Sequence, residues 1–470
     1  MTNNSLKKLI IFAVAIFLAI TPDLLKLNND LSYDARITLR MVIFMISLWL
    51  TEVIPISVTA LIPIIISPFF FEIESNVIIK NYASPVVFLL LGGFILAQGF
   101  EKSNLHQRIA LKTLIIFGKT KETILISVIL STAFFSMWLS NTATCLLMLP
   151  IIKNIIDNNF YSDSDFQFSK ILILSIAYAS SIGGIATPIG TIPNAILIGY
   201  LKENNNIDID FVEWFKYAFP LVLILLILLF LFLRSRFVDN KRILKNKFLL
   251  NKYKSLGNFS NKEKTTIFIL LVTLSLWIFK NNINEIFRIN LTDSAIAIFG
   301  SFLFFIIPFK KNGSILDSNW FAKIPWNILI LFGGGLSMAN LIVSSGLANE
   351  ISDNLNIIKS LKIFFIIIFI ALITSLMTEF TSNTATTFLL LPILSIFAIN
   401  NSLDVLTITL PFVFAASCAF MMPIATPPNA IIYSSNKFNI SFMVSNGFFI
   451  NIICVLVISI YVFYFNIGDI

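Results

Sequence analysis

An eleven-residue string occurs twice in this chain, as SNTATCLLMLP at 140–150 and as SNTATTFLLLP at 382–392, an offset of 242. The copies agree at Ser, Asn, Thr, Ala, Thr, two leucines and the closing proline, which chance does not readily produce. Each copy is small and polar at its start, yet each lies inside a strongly apolar stretch. Hydrocarbon tolerates irregular polar backbone only where protein encloses it, so a repeated polar interruption marks a candidate binding site at membrane depth.

The surroundings support that reading. Of 470 residues 57% are hydrophobic, only 12% are charged, and Phe alone supplies 48. A soluble domain could not bury so much apolar surface, so the expectation is an all-α polytopic membrane protein held by the lipid bilayer. In such a protein the net charge of +8 marks cytoplasmic loops rather than a nucleic-acid surface. Cys145, Cys418 and Cys454 sit in apolar segments without metal-ligand spacing, and indicate neither a disulfide framework nor a zinc site. The single histidine, His106, lies among Lys102, Arg108 and Lys112, a setting of the membrane interface rather than of a proton relay. The sequence holds no HExxH, no GxSxG and no paired intramembrane carboxylates, which argues against an enzyme.

Along the chain, Lys7 and Lys8 precede the apolar run 9–20 without a small-residue cleavage site after it, which predicts an uncleaved first helix with a cytoplasmic N-terminus. Residues 1–236 form a first half, with a hairpin at about 122–156 and a broken helix at about 171–200. Residues 237–262 form a basic cytoplasmic linker, flanked and filled by Arg234, Arg236, Lys241, Arg242, Lys245, Lys247, Lys252, Lys254, Lys262 and Lys264. Residues 263–470 form the second half, with a hairpin at about 362–400 and a broken helix at about 406–435. The breaks read ATPIGTIPN and ATPPN, where prolines forbid a continuous helix.

Further landmarks recur in order. Gly92 and Gly93 match Gly334 and Gly335 at 242, and Thr187 and Asn194 match Thr426 and Asn429 at 239 and 235, a four-residue slip within the first break. The stretch 101–121 reads as an amphipathic interfacial helix with five basic residues, whereas its counterpart has only Lys359 and Lys362, offset by Glu350 and Asp353. Equivalent segments of opposite charge bias suggest an inverted-topology repeat, the alternative being a parallel duplication with a drifted loop.

Ser, Asn and Thr beside unwound backbone supply oxygens for a hard monovalent cation, and hydroxyls and helix N-terminal amides for an anion. No Arg or Lys accompanies either motif; Lys153 lies three residues beyond Pro150. Helix termini contribute only about 0.3–1 kcal/mol each at exposed sites, so a dianion there would be undercompensated without bound cations. The bland alternative is interhelical hydrogen bonding or small-residue packing. Glu379 precedes the second copy where the first has Met137, which favours a structural or gating role for it.

MWLSNTAT, TEFTSNTAT, GTIPN and ATPPNA together resemble the divalent-anion/sodium symporter family, the sodium-coupled dicarboxylate transporters, and residues 417–432 look like its C-terminal signature. The resemblance implies about 11 transmembrane helices plus two re-entrant hairpins, a homodimer in the plasma (inner) membrane, and an elevator-like movement. It implies sodium as coupling ion and C4-dicarboxylates such as succinate, malate or fumarate as imported substrate. Carried over, the first sodium site would be Ser136, Ser140, Asn141 and Gly190, and the second Thr378, Thr381, Asn383 and Ala425. Substrate would meet Ser140, Asn141, Thr142, Ser382, Asn383 and Thr384, with Thr426 and Pro427 nearby. Ile192 departs from the family's GTPPN. Sulfate or another divalent anion as substrate, proton coupling, and sodium-independent exchange are the rival transport modes; a channel is a rival of another class.

Overall fold

The computed structural model describes residues 3–25, 30–71, 75–159, 163–238, 247–308, 313–354 and 361–465. Lys241, Arg242, Lys245 and Lys359 lie outside the described residues. The chain is all-α, as its composition requires. Among the described residues six helices are long and apolar enough to cross a membrane, or seven if the bent pair Asn261–Ile278 and Lys280–Phe287 forms one span. Other apolar helices, such as Ile363–Met377 and Val405–Ala416, are shorter because a polar tip or a proline break interrupts them.

Contacts between helix ends sort the molecule into two faces. Helix Pro85–Lys102 begins beside Asn81, which hydrogen-bonds Ser337 Oγ and Asn340 Nδ2 at 3.1 Å each. It ends at Lys102, paired with Asp317 at 2.5 Å, and Gln98 donates to the Trp320 carbonyl at 3.3 Å. Helix Trp326–Ser344, its repeat counterpart, therefore runs antiparallel to it. Gly92 is needed here because a Cβ would come within 2.6 Å of Ala297 Cβ on the neighbouring helix Asp293–Ile306.

The first hairpin, Lys121–Ser136 and Asn141–Asn159, stands on the Lys102 face. Its feet are tied there by Lys121 to Asp165 at 3.0 Å, Glu122 to Arg234, and Asp157 to Lys437 at 3.3 Å. The second hairpin, Ile363–Met377 and Asn383–Asn400, stands on the Asn81 face: Asn400 donates to Asn349 Oδ1 at 3.3 Å and Ser395 to Asn205 Oδ1 at 3.3 Å. The hairpins thus enter from opposite ends of the molecule.

The interfacial helix is Leu105–Phe117, and the basic residues read from its sequence divide between surface and interior, Lys112 exposed and Arg108 buried. Arg108 is only 4% exposed. Its guanidinium holds Glu263 in a bidentate pair at 2.5 and 3.2 Å and also donates to the carbonyls of Leu256, Gly257 and Asn258 at 3.0–3.2 Å. Tyr253 and Phe259 flank it, with ring centroids at 5.6 and 5.0 Å. One planar group with five donors thereby pins the basic linker, including its helix Lys247–Ser255, onto the interfacial helix.

Candidate functional site

Each tip is a helix N-terminus, and the motif's residue order explains why. Ser140 caps the helix that starts at Asn141: its hydroxyl accepts from the Ala143 amide at 3.2 Å and its carbonyl from the Thr144 amide at 3.0 Å. Ser382 has the same place before Asn383, its carbonyl accepting from the Thr386 amide at 2.9 Å while its hydroxyl makes no capping bond. Ser140 and Ser382 are exposed and Asn141, Thr142 and Asn383 are half-buried, so both tips are open to a ligand; Thr384 is buried. Thr191 and Thr426 cap the second segments of the broken helices, Ile192–Asn204 and Pro427–Tyr433. Thr426 is buried and Pro427 exposed.

These pieces interlock crosswise. The segment Pro427–Tyr433 of the second half packs on the first hairpin's arm Asn141–Asn159, and Ile192–Asn204 of the first half packs on the second hairpin's arm Asn383–Asn400. Tyr178 of the first broken helix packs its ring at a tilt against Phe420 of the second break, centroids 4.9 Å apart, and donates to its carbonyl at 2.9 Å.

Two buried asparagines hold the breaks open. Asn194 Nδ2 donates to the carbonyls of Gly184 and Ile185 at 3.1 Å and Thr187 at 2.8 Å; Asn429 Nδ2 donates to Ala419 and Met422 at 3.0 Å. Counted back from each asparagine, Gly184 stands opposite Ala419 and Thr187 opposite Met422. The sequence-based pairing of Thr187 with Thr426 is therefore corrected: Thr191 is the residue equivalent to Thr426, both capping the next segment. The shared letters ATP attracted the alignment, whereas the hydrogen bonds keep the spacing to the asparagine.

Around the first tip the proposed cation ligands converge. Ser136 Oγ lies 2.6 Å from Asn141 Oδ1 and 2.7 Å from the Ser180 carbonyl, with one proton to donate to either. Asn141 Oδ1 and the Gly190 carbonyl both border the point that a Cβ on Gly184 would occupy, the carbonyl 3.2 Å from it and the amide oxygen closer still. Only glycine leaves that space. Around the second tip, Thr378 Oγ1 donates back to the Thr374 carbonyl at 3.0 Å and Thr381 Oγ1 to the Met377 carbonyl at 2.7 Å. Their lone pairs remain as acceptors. Asn383 Oδ1 is buried without a hydrogen-bond partner. Such an orphan costs about 1–3 kcal/mol, and a sodium ion would remove that cost. Among the described residues no hydrogen bond joins Ala425 to this tip, and no Lys or Arg donates to either tip.

Glu379 is buried, and its carboxylate accepts from the amides of Phe420, Met421 and Met422 at 2.6–3.0 Å and from Asn451 Nδ2 at 2.7 Å. It fastens the second hairpin to the second break. In the first half the same junction is made by Thr187 Oγ1 donating to the Met137 carbonyl at 2.6 Å. Met137 and Glu379 are repeat equivalents, as are Thr187 and Met422, so one joint is built with two chemistries. Sequence reasoning missed Gly184, the Ser180 carbonyl and Asn451. The GG pair before ATP was the one available signal; a carbonyl carries none.

A family model described as the sodium:sulfate symporter transmembrane region matches residues 3–467. The chain belongs to this divalent-anion/sodium symporter family. Among relatives in the family, a sodium-dependent dicarboxylate transporter, SdcS, of Staphylococcus saprophyticus is 34% identical over 93% of this chain and 87% of its own length. The SdcS of Staphylococcus aureus strain USA300 is 36% identical over the same shares. Family membership makes the chain a transporter and not an enzyme. In fold the symporter resembles the YdaH transporter of Alcanivorax borkumensis, at TM-score 0.55 and 10% identity over 82% of this chain and 87% of that one. It also resembles MtrF of Neisseria gonorrhoeae, at TM-score 0.56 and 12% identity over 92% and 96%.

Proposed function

We propose that this symporter carries C4-dicarboxylates such as succinate, malate or fumarate into the cell together with sodium. The observation that carries the reading is a pair of hairpin arms, each beginning in a Ser-Asn-Thr helix N-terminus and each packed on the broken-helix segment of the other half, with asparagine and carbonyl oxygens suited to a cation and, among the described residues, no Lys or Arg donating to either tip. Substrate carboxylates meet Ser140, Asn141 and Thr142 from one tip and Ser382, Asn383 and Thr384 from the other, with Thr426 and Pro427 alongside. One sodium is held by Ser136, Ser140, Asn141 and Gly190, the other by Thr378, Thr381, Asn383 and Ala425. The cations supply the positive charge that helix termini cannot. The relatives' dependence on sodium and their dicarboxylate substrates support the same assignment.

The inverted repeat is supported by the antiparallel course of the two equivalent glycine-bearing helices and by hairpins rooted at opposite faces. An elevator motion of the hairpins and broken helices, a homodimer, the plasma membrane and a cytoplasmic N-terminus complete the proposal.

The test is uptake of radiolabelled succinate by reconstituted protein. Uptake is expected to require sodium and to fall at least tenfold in Asn141→Ala and in Asn383→Ala, each of which also raises the sodium concentration for half-maximal rate. Uptake indifferent to the sodium gradient overturns the reading. The matched family model is described by sulfate, so sulfate is included as competitor; displacement of succinate by equimolar sulfate would make a broader divalent-anion carrier the better description.

A further inference from the structure

A cavity of about 460 Å³ runs along the first hairpin's returning arm, away from the tip. Its wall on that side is Ala143, Leu147, Pro150 and Ile151, one face of the helix that Ser140 caps. Across from it stand His106 and Gln107 of the interfacial helix, Glu101, and Lys252 of the linker helix. The volume suits a small organic ligand, since such sites commonly span about 300–1,000 Å³.

Lys252 makes no ion pair among the described residues. The one acid on the wall, Glu101, has Lys323 as its charged neighbour. His106 is 6% exposed and its Nδ1–H donates to the Phe100 carbonyl at 3.5 Å, which leaves Nε2 as an acceptor in the neutral ring. Burial, opposed by that carbonyl, holds its pKa below the ordinary imidazole range, so it brings no positive charge to the wall and leaves that to Lys252. Arg108, two residues on, fastens the linker against this helix and so fixes where Lys252 stands.

We propose that Lys252 forms a second carboxylate-holding site at the linker-side end of this cavity, where a dicarboxylate dwells between the first tip and solution. The proposal rests on the symport reading, but its chemistry differs from that of the tips. Here a lysine charge replaces the coupling cation, so binding needs no sodium.

Leu147→Cys places a thiol on the cavity wall, the three native cysteines being buried. It is labelled with a membrane-impermeant maleimide, with and without succinate. Succinate in sodium-free medium is expected to slow labelling at least threefold, to do so in Lys252→Arg, and to fail in Lys252→Ala and in Lys252→Glu. Protection is expected to persist in the Asn141→Ala background, where uptake falls at least tenfold. Protection that appears only with sodium and vanishes in Asn141→Ala overturns this site and leaves the symport reading standing. Lys252-dependent protection alongside sodium-indifferent uptake sustains the site and removes the symport reading. Equal protection in Lys252→Ala, or no labelling at all, overturns the proposal.

Discussion

At the scale of single residues the site depends on groups too small or too deeply placed to advertise themselves. A methyl group at Gly184 would sit on Asn141 Oδ1, and overpacking of this kind costs roughly 1–3 kcal/mol. Gly184→Ala is therefore expected to lower sodium-driven uptake about tenfold and to raise the sodium requirement, while the purified protein keeps its monodisperse profile. Glu379 illustrates a different dependence, on a charge that only accepts. Hydrogen bonds to charged groups are worth about 1.5–3 kcal/mol, so Glu379→Gln should lower the Tm measurably and Glu379→Ala should lower it further, leaving three amides unpaired. A side chain that ligated the coupling ion instead would lose sodium affinity with little change in Tm. The Ser-Asn-Thr pair was legible because polar residues repeated inside apolar sequence have few bland explanations. The carbonyl of Ser180 and the amide of Asn451 were not, since their contribution comes from position rather than residue type.

At the scale of elements the linker changes character. Read as sequence, its basic residues mark a cytoplasmic connection; folded, it is docked, because Arg108 spreads its donors over Glu263 and three successive carbonyls. Lysine keeps the charge but not the fork, and breaking a buried pair costs about 3–5 kcal/mol. Arg108→Lys should accelerate tryptic cleavage at Lys252 and Lys254 at least tenfold, read by mass spectrometry of the nicked protein. An unchanged cleavage rate would mean that Tyr253, Phe259 and the packing of Leu249 hold the linker unaided. The breaks teach a related lesson. Letter matching put Thr187 against Thr426, but a helix break is defined by which carbonyls its asparagine satisfies, and that count runs backward from Asn194 and Asn429.

At the scale of the whole molecule the two hairpins root at opposite faces, one beside Arg234 and Lys437, the other beside Asn349. Lys119, Lys254 and Asn349 are all exposed, so cysteines placed there report sidedness. Lys119→Cys and Lys254→Cys should react with an impermeant reagent from the cytoplasmic face and Asn349→Cys from the outer face. Labelling of all three from one face would restore the parallel duplication. The charge contrast between the two interfacial stretches pointed to inversion, yet part of that contrast is spent internally, since Lys121 is buried against Asp165.

Properties that depend on near neighbours in the chain could be read before folding. Apolar length requires a bilayer, proline and glycine end helices, and a serine before an asparagine caps one, because each effect acts within a turn or two of its residue. The packing of Pro427–Tyr433 on the first hairpin's returning arm, the clasp of Tyr178 on Phe420 and the arrival of Lys252 over the cavity were settled by tertiary structure. Those contacts join positions a hundred or more residues apart, and which faces meet depends on the complementarity of surfaces that no local pattern encodes.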